Sequence, residues 1–139
     1  MRYQVHTLAA LTSLLMLAAC TSVPYAPVKY SAGLMTGANG MTLYTFDKDA
    51  PGSGKSVCNG QCATNWPPLM AGVTDQPGGD WTIVTRDDGS KQWAWSGQPL
   101  YYWAQDQKPG DATGDGFNKV WHAVRPPPAQ YNAGSMNGP

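Results

Sequence analysis

The sequence predicts one small all-β domain, built from two tandem copies of a repeat and formed by antiparallel hairpins, a meander and one short helical turn. The first observation is internal repetition: residues 43–49 (LYTFDKD) return as residues 100–106 (LYYWAQD). The second observation is that a glycine lies three residues before each copy and a Pro-Gly pair follows shortly after each copy. The third observation is the presence of Asn-Gly and Asp-Gly pairs between alternating apolar runs, which favours tight hairpin turns.

The repeated phrase has the pattern of a β-strand. Side chains alternate across a strand, so Tyr44 and Phe46 should share one face, as should Tyr101 and Trp103. The leucine that begins each copy should point to the opposite face. Aromatic side chains in this alternation favour a strand in both copies.

Each copy ends in an aspartate, Asp49 or Asp106. Asp side chains often accept hydrogen bonds from nearby backbone amides and so close a turn, which predicts that each strand stops there. The alternative is that the two aspartates are metal ligands or catalytic acids.

The remaining elements follow from local patterns. Asn39-Gly40 predicts a turn between residues 33–37 and 41–47. Residues 57–65 have room for one helical turn, because the two prolines at 67 and 68 forbid its continuation. Alternating runs predict a three-strand meander and a last short strand: residues 81–86, 92–95, 99–103 and 120–124.

The organisation of the whole chain is predicted from its ends inwards. The apolar run at residues 8–19 is too short to span a bilayer and is typical of a signal peptide. Proline spacing predicts an extended tether after it, and the Pro-rich, non-periodic end predicts disorder. The expected boundaries are a signal peptide at 1–19, a tether at 20–30, a β domain at 31–125 with copies at about 33–71 and 81–125, and a disordered tail at 126–139.

The motif Tyr-x-aromatic-x-x-Asp in two copies, together with Cys58-x-x-x-Cys62 and a Trp-Pro-Pro-Leu run from Trp66, resembles a bacterial family of predicted lipoproteins described as secreted repeats of unknown function. The resemblance covers about residues 33–125. It implies a secreted repeat fold and no reaction. The second copy departs from the first, since it has no cysteine pair and has Trp121-His122 where the first has Trp-Pro.

Residues 17–20 (LAAC) resemble the bacterial lipobox, which implies that Cys20 is lipidated and becomes the mature N-terminus. Thr21, rather than aspartate, follows it, and this implies the outer membrane in a Gram-negative cell. Several acyl chains give firm anchoring, so the membrane is an expected partner. The alternative is an ordinary cleaved signal peptide with a chance cysteine.

The charge balance argues against nucleic acid as a partner. The chain has nine basic and nine acidic side chains, and loss of a segment carrying Arg2 leaves a net charge of about −1. No cofactor is implied by any motif.

Two roles are open for Cys58 and Cys62. In an oxidising envelope, an even pair spaced by three residues favours a disulfide that closes a small loop. A pair with this spacing also suits Cu(I), but copper would require reduced thiols and a third ligand, for which His122 or Met70 is available.

Two further kinds of site, a calcium site and a catalytic site, were compared with the sequence. A loop rich in aspartate and glycine offers oxygen ligands for calcium, but its spacing differs from that of an EF-hand. No nucleophile motif accompanies the single histidine that follows the predicted signal peptide, so we do not expect an enzyme. The candidate metal ligands are Asp106, Asp111, Asp115 and His122.

Aromatic side chains are abundant, with six tryptophans and seven tyrosines. Such side chains can form a carbohydrate- or peptide-binding face, since stacked rings give a large contact area. We therefore expect a lipid-anchored, non-enzymatic envelope module that binds a glycan or a protein, or that has a structural role. The rival is a redox or copper-handling envelope protein that uses Cys58 and Cys62.

Overall fold

The fold is described here from a computed structural model, which covers residues 26–127. The predicted signal peptide at 1–19, the lipidation site Cys20, most of the tether at 20–30 and residues 128–139 of the predicted tail lie outside the described residues.

The described residues are mostly strands in antiparallel sheets, with one very short α-helix, so the predicted all-β class is confirmed. A 3₁₀ turn at Phe117–Lys119, which the sequence analysis did not predict, precedes the last strand. The elements are β1 (Val28–Ser31), β2 (Leu34–Gly37), β3 (Tyr44–Phe46), α1 (Gln61–Asn65), β4 (Trp81–Thr85), β5 (Lys91–Trp95), β6 (Gln98–Pro99) and β7 (Trp121–Ala123).

The strands form three small sheets. β1 pairs with β2, β3 pairs with β7, and β4, β5 and β6 form a three-strand meander in that order. The meander was predicted, although its third strand is shorter than expected. After Leu100, whose N still donates to Trp93 O at 3.0 Å, the chain leaves β5, because Tyr101 bridges to Tyr44 and Pro68.

The N-terminal boundary was predicted wrongly. β1 begins at Val28, inside the stretch assigned to the tether at 20–30, and pairs along its length with β2. Its alternation of Val28 and Tyr30 with polar neighbours is a strand pattern that the flanking prolines obscured. A two-residue turn at Ala32 and Gly33, both with positive φ, connects it to β2.

The predicted hairpin around Asn39-Gly40 is only partly correct. The turn forms, since Gly40 N donates to Gly37 O and Gly37 N donates to Met41 O, both at 2.9 Å. The returning chain follows β2 only as far as Leu43, whose N donates to Met35 O at 2.9 Å. β3 then pairs with β7 of the second copy, with Thr45 opposite His122.

The two copies complete each other reciprocally. Tyr44 N donates to Tyr101 O at 2.8 Å, and Tyr101 N donates to Tyr44 O at 3.0 Å. The end of each copy also pairs with the other copy, because Leu69 N donates to the carbonyl of Leu100 and Val124 N donates to that of Leu43. These reciprocal contacts are those expected of two copies related by an approximate two-fold axis.

The predicted alternation of the repeated phrase is confirmed by the core. The tyrosine and the second aromatic residue of each copy lie in one hydrophobic cluster, and Leu43 and Leu100 lie in another. The first cluster, called the aromatic core, contains Leu34, Tyr44, Phe46, Cys58, Trp66, Tyr101, Trp103, Trp121 and Ala123. The second, called the aliphatic core, contains Ala26, Val28, Met35, Leu43, Leu69, Trp93, Leu100 and Val124.

A stack of four rings occupies the aromatic core. Trp66 and Trp121 lie face to face with centroids 3.8 Å apart. Phe46 stacks on Trp121 at 4.1 Å, and Trp103 stacks on Trp66 at 4.0 Å. Because Trp66 and Trp121 belong to different copies, the centre of the stack is itself a contact between the copies.

Candidate functional site

The repeat motif links the two copies through side chains as well as backbone. Tyr44 Oη donates to Asp106 Oδ2 at 2.6 Å, and Tyr101 Oη donates to Asp49 Oδ2. Each tyrosine therefore bonds the aspartate of the other copy. These bonds were not predicted, because nothing in the local sequence pairs residues so far apart.

The aspartates also close loops, as predicted, but over longer spans than a turn. Asp49 Oδ1 accepts a hydrogen bond from Val57 N at 2.7 Å, and Asp106 Oδ1 accepts one from Thr113 N at 3.0 Å. In each carboxylate, one oxygen thus accepts a hydrogen bond from the loop of its own copy, and the other oxygen accepts one from the tyrosine of the other copy.

Burial dominates the electrostatics of this motif. It raises the pKa of Asp49, against the lowering effect of hydrogen bonds from Tyr101 and Val57. It also raises the pKa of Tyr44 and Tyr101 far above the usual value, and the adjacent carboxylates add to the rise. Both phenols therefore remain protonated donors at neutral pH.

The motif is buried and joins the two copies of the fold. Every one of its six aromatic and acidic members is buried: Tyr44, Phe46, Asp49, Tyr101, Trp103 and Asp106. A ligand cannot reach these side chains without opening the core, so a binding surface must use other residues.

A buried arginine that the sequence analysis overlooked lies beside the motif. Arg86 Nη1 donates to Ser56 Oγ at 3.0 Å and to Gln92 Oε1 at 2.6 Å. Ser56 Oγ lies 2.7 Å from Tyr101 Oη, whose proton is donated to Asp49. Two hydroxyls therefore bridge a buried cation and a buried carboxylate. An arginine before an Asp-Asp-Gly turn is typical of a surface, so no sequence signal indicated this burial.

The candidate metal ligands have other partners. Asp111 Oδ2 accepts hydrogen bonds from two amides of its own loop, Asp115 pairs with Arg125 at 2.7 Å, and His122 Nε2 lies 2.8 Å from Asp47 Oδ2. Across residues 26–127, no three His, Cys, Asp or Glu side chains are grouped as metal ligands. The proposed calcium cluster of Asp106, Asp111 and Asp115 is therefore not formed.

The cysteine pair forms the disulfide that its spacing favoured. Cys58 is fully buried in the aromatic core and bonds to Cys62, which is half-buried at the start of α1. Both thiols are thus engaged, and copper binding at this pair would require prior reduction.

A row of side chains on the meander is the candidate binding surface. Trp81, Trp95 and Gln98 occupy matching positions on β4, β5 and β6, and directly paired residues share one face of a sheet. All three are half-buried, and the two indole centroids lie 6.5 Å apart. We call these three residues the tryptophan row.

Two polar atoms at this row lack partners. Trp93 Nε1 and Gln98 Oε1 are buried and make no hydrogen bond with any residue in the described part of the chain. Trp93 lies two residues before Trp95, on the same face, and packs edge-to-face against Trp81 at 6.1 Å. The row therefore contains one unpartnered acceptor, Gln98 Oε1, and has one unpartnered donor, Trp93 Nε1, beside it. Leaving such a buried polar atom without a hydrogen bond costs about 1–3 kcal/mol.

The first copy shows that the fold does not require these tryptophans. The positions equivalent to Trp81 and Trp95 are Val28 and Gly37, which pair in the same way. Tyr102 covers Gly37 so closely that a Cβ there would lie 2.0 Å from its hydroxyl oxygen. The first copy therefore fills this place with Val28 and the ring of Tyr102, and the second fills it with two half-buried tryptophans at the edge of the aliphatic core.

One known family matches the chain twice, once for each copy. A family described as a secreted repeat of unknown function matches residues 28–70 and 82–125, which together make up more than half of the chain. The chain belongs to this family. The two matches coincide with the two copies, and the first match begins at β1, which supports the corrected boundary at Val28.

The description of the family gives a secreted location and leaves its activity open. No similar protein is found among curated proteins, and no similar chain among solved structures. In the part of the chain that the structure describes, no helix has the length and apolarity needed to cross a bilayer.

Proposed function

We propose that the protein is a lipid-tethered envelope module, without catalytic activity, that binds a glycan at the tryptophan row. The observation that supports this proposal is the half-buried pair Trp81 and Trp95, at positions where the first copy has no aromatic side chain. Every aromatic side chain of the repeat motif is buried, whereas the two tryptophans of the row are half-buried at the edge of the aliphatic core.

The chemistry of the row suits a sugar. Sugar rings present apolar faces that stack on indoles and hydroxyl groups that exchange hydrogen bonds with amides. The row contains two indoles, one amide and no charged side chain. A ligand reaches the unpartnered atoms of Trp93 and Gln98 only when a neighbouring side chain moves, and new hydrogen bonds there would offset their unsatisfied burial.

Replacing Trp81 or Trp95 with alanine is expected to weaken glycan binding by about tenfold or more, because each change removes one stacking ring. The measurement is a titration of the mature chain with soluble peptidoglycan fragments and an oligosaccharide panel, followed by tryptophan fluorescence and calorimetry. Phe117→Ala is the matched control, since Phe117 is an exposed aromatic residue outside the row. Equal affinity of all variants, or no glycan binding by the unchanged protein, contradicts the proposal.

The proposed tether is Cys20, at the end of the lipobox-like stretch. Cys20→Ala is expected to move the protein from the membrane fraction to the soluble fraction, because the acyl chains provide the anchor. Fractionation of cells followed by immunoblotting measures this change, and Cys62→Ser is the control. Membrane retention of Cys20→Ala would contradict lipid anchoring.

Copper handling is the rival function, and the same sample tests it. Thiol titration of protein prepared under oxidising conditions is expected to find no free thiol, since the two cysteines form a disulfide. Two free thiols and stoichiometric Cu(I) binding that is lost in Cys58→Ser would favour copper handling instead.

A further inference from the structure

The buried guanidinium of Arg86 depends on residues 56–59, which overlap the start of the loop that the Cys58–Cys62 disulfide closes. Arg86 is only 5% exposed. Besides Gln92, it donates to Ser56 Oγ at 3.0 Å, to Cys58 O at 2.6 Å and to Asn59 Oδ1 at 3.2 Å. All of these acceptors are uncharged, and three of the four lie within residues 56–59.

The same segment is tied to the repeat motif. Ser56 Oγ accepts a hydrogen bond from Cys58 N at 3.2 Å and lies 2.7 Å from Tyr101 Oη. Val57 N donates to Asp49 Oδ1. A displacement of residues 56–59 would therefore remove acceptors from Arg86 and break the bridge that joins it to Asp49.

The second copy forms the equivalent segment without a disulfide. Thr113 N bonds Asp106 as Val57 N bonds Asp49, which makes Gly114 the counterpart of Cys58. Four residues before the stacked tryptophan, Phe117 stands where the first copy has Cys62. Since the second copy closes this loop without a disulfide, the fold does not require the disulfide.

The two sulfur atoms differ in accessibility. Cys58 is fully buried, whereas Cys62 is half-buried and lies on the short helix α1. An incoming thiolate therefore meets Cys62 first, because it must approach the sulfur that it attacks.

We propose that Cys58–Cys62 is a thiol–disulfide exchange site, and that its oxidation state controls the exposure of Arg86. A thiolate of a dithiol partner attacks Cys62 Sγ, the bond between the two protein sulfurs breaks, and the electron pair leaves with Cys58 Sγ, which takes up a proton. The second thiol of the partner then attacks the mixed disulfide and releases the Cys62 thiolate, which is protonated. The protein gains two electrons and two protons, and the partner becomes a disulfide.

Reduction removes the covalent link between Cys58 of this segment and Cys62 on α1, and leaves the rest of the core in place. The segment then holds the buried cation only through neutral hydrogen bonds, and a buried charge that loses its partners is strongly disfavoured. Local opening exposes Arg86 to solvent, while the equivalent loop at residues 106–117, which has no disulfide, is unaffected. This inference is independent of glycan binding.

Limited trypsin digestion tests the proposal, because trypsin cleaves after arginine only where the chain is accessible. The mature protein is compared as the disulfide and after reduction with dithiothreitol and alkylation, and the products are identified by mass spectrometry. Cleavage between Arg86 and Asp87 is expected to accelerate about tenfold or more on reduction. Cleavage after Lys119, in the second copy, is expected to change little.

A double variant with Cys58→Ser and Cys62→Ser is the matched control. It is expected to be cleaved after Arg86 as fast as the reduced protein, with no response to dithiothreitol. Unchanged cleavage after Arg86 in protein that carries two alkylated thiols would overturn the proposal. An equal acceleration after Arg86 and Lys119 would also overturn it, because it would indicate global unfolding in place of a local switch.

Discussion

Replacing Trp66 with alanine is expected to lower the free energy of unfolding by about 4 kcal/mol. Trp66 stacks between Trp103 and Trp121 and makes edge contacts with Tyr44 and Phe117. Its removal leaves a cavity at the centre of the four-ring stack, where the two copies meet. Chemical denaturation followed by circular dichroism measures the loss.

The matched control for this variant is Trp81→Ala. Trp81 is half-buried at the edge of the aliphatic core, so its removal creates less cavity and should cost clearly less stability. Equal losses in the free energy of unfolding for the two variants would contradict the claim that the ring stack contributes more to stability than the edge of the aliphatic core.

Gly114→Ala is expected to lower the free energy of unfolding by about 3 kcal/mol, the cost of overpacking a filled core. A Cβ at Gly114 would lie 2.7 Å from Trp66 Cη2 and 3.0 Å from Trp103 Cγ. Trp66 lies between two stacked rings, and Trp103 packs against Trp66 and Phe117, so neither ring can move away easily. Thermal and chemical denaturation measure the effect.

Gly72→Ala is the control for the glycine substitution. Gly72 also lacks a positive φ, and a Cβ there would meet Asp75 at 3.6 Å, an ordinary contact. It should change stability little. A Gly114→Ala variant as stable as Gly72→Ala would show that the aromatic core is less tightly packed than the structure indicates.

The parts of the fold that depend on local pattern were predictable from the sequence. The alternation of Leu43 and Tyr44 correctly placed them on opposite faces of the strand, and the spacing of Cys58 and Cys62 favoured the disulfide that forms. The two prolines at 67 and 68 correctly limited the helix to a single short element, α1.

The parts that depend on long-range pairing were not predictable. Tyr44 and Asp106 lie 62 residues apart, and their alternation does not specify which copy each side chain meets. The tryptophan row was missed for a similar reason, since Trp81 and Trp95 are adjacent only through the register of β4 and β5. Val28 was assigned to the tether because the prolines before it indicated an extended linker. The four residues of β1 are too few to show a clear strand pattern.

Native-state hydrogen exchange at the amides of Leu43 and Leu100 tests most directly the central claim that each copy completes the other. Each amide bonds a carbonyl of its own copy, Met35 or Trp93, and so reports on the opening of that copy. The structure predicts equal free energies of opening at the two amides, and an equal fall at both in Trp66→Ala. Continued protection of Leu100 when Leu43 has lost its protection would contradict the claim, because the copies would then unfold separately.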